Sequence, residues 1–270
     1  MSADNRGNKF TAWLQRAVWP LGAGVVMIGI WYLAIWLFNI PRYLLPMPHA
    51  IIQEGIAKWD YLSHGTLLTF SSALAGFALA GVIGIVAATI MSQSRLLEKS
   101  LYPYAIVLQT IPVVAIAPMV VVWMGTGRQT IAVIAFIVAF FPIISNTTLG
   151  LTSTDHNLIN LLELYSASRL QLLLKLKIPY AIPYIIGGLR ISAGLAVIGA
   201  IVGEFVAGMG GRAGGLGYQI AESATMVQTT YLFAAAFAAC GMGLLVFFTV
   251  NAASHFLLRN WHESSVRREN

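Results

Sequence analysis

Two ionisable side chains lie inside one apolar run, residues 180–208: Arg190 and Glu204. A charge within such a run is costly, so it is a functional candidate by default. Arg190 lies about eleven residues beyond Pro179, roughly 16 Å along a helix. The plainer reading is that it snorkels to a headgroup or bonds a carbonyl. Glu204 is either a helix-end group at the membrane surface or a group close to a solute path. Other chemistry is thinly represented. His49, His64, His156, His255 and His262 are scattered through loops and segment ends, with no HExxH, nucleophile elbow or pair of intramembrane acids. Cys240 is the single cysteine and sits in an apolar run, which suits a small buried hydrophobe. The glycines at 208–211 loosely imitate a dinucleotide fingerprint, but they follow an apolar helix rather than a strand and read as a compact loop. No GxxxxGK[ST] is present, so the chain has no P-loop with which to bind ATP.

The remaining polar feature is residues 155–179, between two long apolar runs. Leu158, Leu161, Leu162 and Tyr165 keep helical spacing, as do Leu170, Leu173 and Leu174. Ser166-Ala167-Ser168 divides the two pieces. Asp155 or Asn157 supplies a cap for the first and Ser166 or Ser168 for the second. Lys175 and Lys177 suit the negative end of the second helix. Pro179 at a helix start then permits a sharp turn into the next segment. By periodicity alone, this hairpin is either an interfacial helix pair resting on lipid or a handle for a protein partner.

The elements that position these residues follow from composition. The chain is 58% hydrophobic and 10% charged, with a mean hydropathy of +0.76. Soluble domains carry about 45–50% and ~25% respectively, so this is an integral membrane protein. Six segments are long enough to cross a bilayer as helices: 19–38, 67–91, 101–124, 130–147, 180–208 and 231–257. The third carries Pro103, Pro112 and Pro118 and the fourth Pro142, which predicts kinked helices packed against neighbours. Residues 1–18 are polar and basic, with Phe10, Trp13, Leu14 and Val18 at helical spacing, and read as a surface helix ahead of the first span rather than a cleaved signal. Residues 19–258 form one six-span domain without an inverted repeat, and 259–270 a basic tail. One side collects Arg6, Lys9, Arg16, Arg95, Lys99, Arg169, Lys175, Lys177, Arg259, Arg267 and Arg268, and the other only Arg42, Lys58, Arg128 and Arg212. That bias places both termini and the 155–179 hairpin in the cytoplasm. The net charge of +6 therefore records topology, not nucleic-acid binding.

Several motifs, in order, resemble the permeases of binding-protein-dependent ABC importers, in their nitrate/sulfonate/taurine class, over residues 20–262. Leu45-Pro46-Met47-Pro48 is similar to their external LPxP. Gln109 to Pro118, followed by Gly125-Thr126-Gly127, resembles their third span. Ser166-Ala167-Ser168-Arg169-Leu170-Gln171-Leu172 resembles GASRWQL. Pro183 to Arg190, Gly203-Glu204-Phe205 and Gly214-Gly215-Leu216-Gly217 continue the match. The hairpin resembles their coupling loop, EAA-x3-G-x9-I-x-L-P. Counting back from Pro179 puts EAA on Asn160-Leu161-Leu162 and the glycine on Ser166. The spacing holds, while the acid, both alanines and the glycine are replaced. The family's glutamate role does not carry over to Asn160; Glu163, one turn on, is the candidate substitute.

The resemblance implies an all-α type I ABC importer permease fold with six transmembrane helices and a cytoplasmic coupling-helix hairpin between spans four and five. It implies an inner-membrane importer built from two permease subunits (two copies, or this chain and a close relative), two cytoplasmic ABC ATPases that hold ATP and Mg, and a periplasmic or lipid-anchored solute-binding protein. The permease itself holds no cofactor or metal and contacts membrane lipid. ATPase contacts are expected at Asn160, Leu161, Leu162, Glu163, Tyr165, Ser166, Ala167, Ser168, Arg169, Leu170, Leu173, Leu174 and Pro179. Translocation-path candidates are Gln109, Thr110, Pro112, Pro118 and Glu204. The solute is a small oxyanion, sulfonate or bicarbonate, or a vitamin-like heterocycle such as a thiamine pyrimidine precursor or flavin. A secondary transporter or channel is the alternative of a different class, and would rely on Glu204 and Arg190 as its ion site.

Overall fold

The computed structural model describes residues 4–208 and 214–258, all of their regular structure helical. The helices are α1 (Asp4–Leu37), α2 (Pro48–Ala57), α3 (Trp59–Met91), α4 (Arg95–Thr110), α5 (Val113–Met124), α6 (Arg128–Thr152), α7 (His156–Leu164), α8 (Arg169–Leu172), α9 (Ile178–Ala207), α10 (Leu216–Thr225) and α11 (Thr229–Leu258). A π turn, Leu173–Lys177, joins α8 to α9. Four stretches are long and apolar enough to cross a membrane: Trp59–Met91, Arg128–Thr152, Arg169–Ala207 and Thr229–Phe256. Gly22–Leu37 and Val113–Met124 are shorter apolar helices.

The centre of the molecule is α3, α6 and α9, and small residues hold it together. Lipid is as apolar as leucine, so helices in a bilayer associate where backbones can approach closely. A Cβ added at Gly76 of α3 would sit 2.5 Å from the Ala132 carbonyl and 2.6 Å from the Ala135 Cβ of α6. One added at Gly199 of α9 would sit 2.9 Å from the Ala135 Cα. Ala135 is thus pinched from both sides. Ala80, Ala139, Ala196 and Ala200 are buried around it, and the Ser192 hydroxyl donates to the Ala139 carbonyl at 2.6 Å. α1 stands at the edge, with Trp19, Val25, Met27 and Trp36 exposed, and touches α11 through Trp31 against Phe233 and Phe237.

Four expectations change: Cys240, expected as a small buried hydrophobe, is exposed, and the other three concern helices. The third segment is not one kinked helix. It breaks at Ile111-Pro112 into α4 and α5, with Pro112 extended (ψ 127°) as the N-cap of α5. Pro112 has no amide hydrogen to continue α4, and it forces residue 111 away from helical geometry. Pro103 and Pro118 are absorbed inside their helices. Second, α1 runs unbroken from Asp4 to Leu37, where the sequence separates a surface helix from a span; helical spacing simply persists across the boundary. Third, the chain does not turn sharply at Pro179. Arg169 to Ala207 is continuous helix, because the π turn widens the preceding coil where the proline ring would otherwise meet the Lys175 carbonyl. The glycine-rich loop at 209–213 and the basic tail at 259–270 lie outside the described residues, as do the side chains of Phe10, Trp13 and Leu14.

Candidate functional site

The hairpin is built as its capping residues dictate. The Asp155 carboxylate accepts from the Asn157 amide at 2.8 Å and starts α7. Ser168 starts α8 with a capping box: the Gln171 amide donates to the Ser168 hydroxyl, and the Ser168 amide donates to the Gln171 side chain at 2.8 Å. Between them Ser166 sits at φ 56°, in the left-handed region. This is the position at which the coupling-loop pattern has glycine, and the geometry explains that glycine. A Cβ there costs roughly 1–2 kcal/mol.

The hairpin's two faces differ. Leu161, Leu164, Tyr165, Leu170 and Leu174 project outward, and Leu164 and Tyr165 are 83% and 79% exposed. They form an apolar ridge along the loop. Leu162 and Ala167 are half-buried, and Ser166 and Ser168 are exposed at the break. Leu173 is buried against Leu151 and Ala181, which anchors the hairpin to α6 and α9. Pro179 is half-buried in the first turn of α9. Asn160, Glu163 and Arg169 turn the other way. They line a cavity of about 630 Å³ between the hairpin and the start of α4, together with Lys177, Glu98 and Lys99. The expected ATPase-contact set therefore divides into an outward ridge and an inward polar lining.

The translocation-path candidates divide as well. Gln109, Thr110, Pro112 and Pro118 are exposed together around the α4–α5 break. Glu204 is elsewhere and 2% exposed. Its Oε2 accepts from the Thr69 hydroxyl at 2.9 Å and from the Gly217 amide at 2.7 Å, while the Leu216 amide donates to Thr69 Oγ1 at 2.8 Å. One carboxylate thus joins α3, α9 and the start of α10. A Cβ at Gly215 would run into that carboxylate, so the backbone must be glycine to come so close. Gly203-Glu204-Phe205 and Gly214-Gly215-Leu216-Gly217, separate motifs in the sequence, are the two halves of this staple.

A second staple lies alongside. Gln219 is fully buried, its amide donating to the Tyr61 carbonyl and its oxygen accepting from the Tyr231 hydroxyl, both at 2.8 Å. Tyr61 and Tyr218 both donate to Glu222, at 2.9 and 3.0 Å. Neither Gln219 nor α10 itself is apparent in the sequence reading. The buried positions of α10 are Leu216, Gly217, Gln219 and Ser223, which keep helical spacing but are mostly not apolar. Arg190 is half-buried, and its Nε has no hydrogen-bond partner among the described residues. Among those residues, no cluster of three or more histidine, cysteine or acidic side chains could hold a metal.

The described residues thus form helices, four of them long and apolar enough to cross a membrane, with a capped, exposed hairpin between two of these. The chain belongs to the family of binding-protein-dependent transport system inner membrane components, whose pattern matches residues 80–261. It is similar to a probable ABC transporter permease protein of Haemophilus influenzae, 32% identical over 89% of this chain and 96% of that one. It is also similar to the riboflavin transport system permease protein of Chloroflexus aurantiacus, 34% identical over 93% and 94%. The formylaminopyrimidine transport permease protein of Halalkalibacterium halodurans is 33% identical over 87% and 92%. Permeases named for aliphatic sulfonates, nitrate and bicarbonate are similar too. The chain is thus the permease component of a binding-protein-dependent ABC importer, with the type I importer permease fold, and not itself an enzyme.

Proposed function

We propose that the 155–179 hairpin is the contact through which a cytoplasmic ATPase drives this permease. The observation that carries it is the apolar ridge of Leu161, Leu164, Tyr165, Leu170 and Leu174, exposed on a hairpin whose other side is fixed to α6 and α9. A lever must be stiff and firmly attached. The continuous helix from Arg169 to Ala207 supplies stiffness, spanning roughly 58 Å at 1.5 Å per residue. Two permease subunits and two ATPases complete the machine. ATP and Mg bind in the ATPases, whose closure moves the hairpins and switches the pathway between inward- and outward-facing states. The skew of lysine and arginine supports a hairpin and termini in the cytoplasm of an inner-membrane protein with six crossings, in which α4 and α5 together make the third. A binding protein delivers solute on the opposite side, where α10 lies. Co-expression with the ATPase tests the assignment: wild type should co-purify with it, and Leu170→Asp should lose it while remaining monodisperse. Equal recovery of the ATPase with both would overturn the assignment.

For the solute, we favour a planar nitrogen heterocycle over a small oxyanion. The relatives above 30% identity across most of the chain whose names give a solute carry riboflavin and formylaminopyrimidine. Uptake of radiolabelled riboflavin, formylaminopyrimidine and taurine by the reconstituted importer with its binding protein separates the readings. Transport of taurine alone would contradict this choice.

A further inference from the structure

The cavity behind the hairpin lies on the side away from the apolar ridge, although Asn160, Glu163 and Arg169 of the expected ATPase-contact set line it. Its walls include Glu98 and Lys99 from α4, His156 and Glu163 from α7, Arg169 and Lys177 from α8 and the π turn, and Leu151 and Thr152 at the end of α6. Six titratable side chains around about 630 Å³ is a dense set. Among the described residues no ion pair joins one of the five charged groups to another. Lys99, Arg169 and Lys177 thus line one cavity, the first two exposed at its rim and Lys177 half-buried, and none is paired with Glu98 or Glu163. Lys177 is half-buried at the start of α9, and Leu151 beneath it is buried, so part of the wall is apolar.

We propose that this cavity binds a phosphate-bearing anion through Lys99, Arg169 and Lys177. Arginine offers a planar fork of donors that matches phosphate oxygens, and the two ammonium groups act as point charges beside it. The cavity is open on one side, so a ligand reaches the three cations without displacing protein. Glu98 and Glu163 remain as acceptors for a hydroxyl or ammonium group carried next to the phosphate. That combination fits the headgroup of phosphatidylethanolamine or phosphatidylglycerol, and the phosphate alone fits a free cytoplasmic anion. The apolar wall at Leu151 suits a headgroup that brings its glycerol with it. Because Lys99 belongs to α4 and the other two cations to the hairpin, the ligand would bridge the lever to its neighbour. Occupancy then sets how freely the hairpin moves.

The test needs neither ATPase nor transported solute, so its failure is separable from failure of the docking assignment. The full chain is released from nanodiscs of phosphatidylcholine containing phosphatidylethanolamine or phosphatidylglycerol, and retained lipid is counted by native mass spectrometry. In parallel, inorganic phosphate is titrated into delipidated chain and thermal unfolding is followed. Wild type should retain a phospholipid, or gain stability with phosphate, and Lys99→Gln/Lys177→Gln should weaken that binding by about tenfold or more. Retention of lipid without a phosphate effect assigns the site to a headgroup; a phosphate effect alone assigns it to a free anion. Lys175→Gln, an exposed lysine outside the cavity, should behave as wild type and controls for overall charge. Equal binding by wild type and the double variant, equal weakening by Lys175→Gln, or no binding in either arm would overturn the proposal.

Discussion

Replacing Glu204 with alanine should release α10 from the bundle, and the size of the effect follows from its contacts. The carboxylate accepts from Thr69 and from the Gly217 amide, and Thr69 in turn accepts from the Leu216 amide. Removing it strands the buried Gly217 amide and leaves the Thr69 hydroxyl only its 3.1 Å bond to the Gly65 carbonyl; a hydrogen bond to a charged group is worth about 1.5–3 kcal/mol. Side-chain bonds in membrane proteins run weaker, at most ~1.7 kcal/mol, because the unfolded chain in lipid finds other partners. The two figures together bracket the loss at about 2–4 kcal/mol. At ~2–4 °C per kcal/mol, thermal unfolding should fall by roughly 4–16 °C. Glu204→Gln keeps one acceptor oxygen and most of the shape, so it should cost less than ~1 kcal/mol. Thr69→Val should approach the alanine variant, since it orphans the Leu216 amide. The double variant should be strongly non-additive, because the three groups act as one network. Fluorescence-detected unfolding in detergent gives the global value, and amide exchange at Leu216 and Gly217 gives the local one. Unfolding of Glu204→Ala within about 1 °C of wild type, with unchanged protection at those two amides, would refute the staple.

Three further outcomes follow from local geometry. Ser166→Gly should raise stability by about 1 kcal/mol in thermal unfolding, because φ at residue 166 is 56° and glycine removes the Cβ penalty. Ser168→Ala should lose the capping box and about 1 kcal/mol of α8 stability, seen as faster amide exchange at Gln171. Gly76→Val should separate α3 from α6 and cost about 1–3 kcal/mol, measured as a lower unfolding temperature, because the added atoms meet the Ala132 carbonyl and Ala135.

The hairpin was the more legible part of this protein. Its boundaries, its two caps and its register to Pro179 are local features, and local features are what spacing and capping residues encode. Even the missing glycine at Ser166 was visible as a departure, and the backbone there supplies its reason. What stayed hidden depends on distant residues. Glu204 is 135 positions from Thr69 and 13 from Gly217, so nothing in its neighbourhood announces that it joins three helices. α10 hid because its inward face is Gln219, Ser223 and a glycine, which an apolar periodicity cannot detect. Pro112 is plain in the sequence, but whether a proline kinks a helix or ends it depends on what packs around it. Direction was the last obstacle. Asn160, Glu163 and Arg169 share a hairpin with Leu164 and Leu170, and only the anchoring of Leu173 decides which face turns inward.

The most direct measurement of the central claim is a photocrosslink from the ridge. A photoreactive amino acid replaces Leu164, which is 83% exposed at the end of α7, in the full importer expressed in its own membrane. A crosslink to the ATPase subunit is expected, lost when the same group replaces Leu151 on the buried side of the hairpin's attachment. A Leu164 crosslink only to lipid, with transport intact, would contradict it.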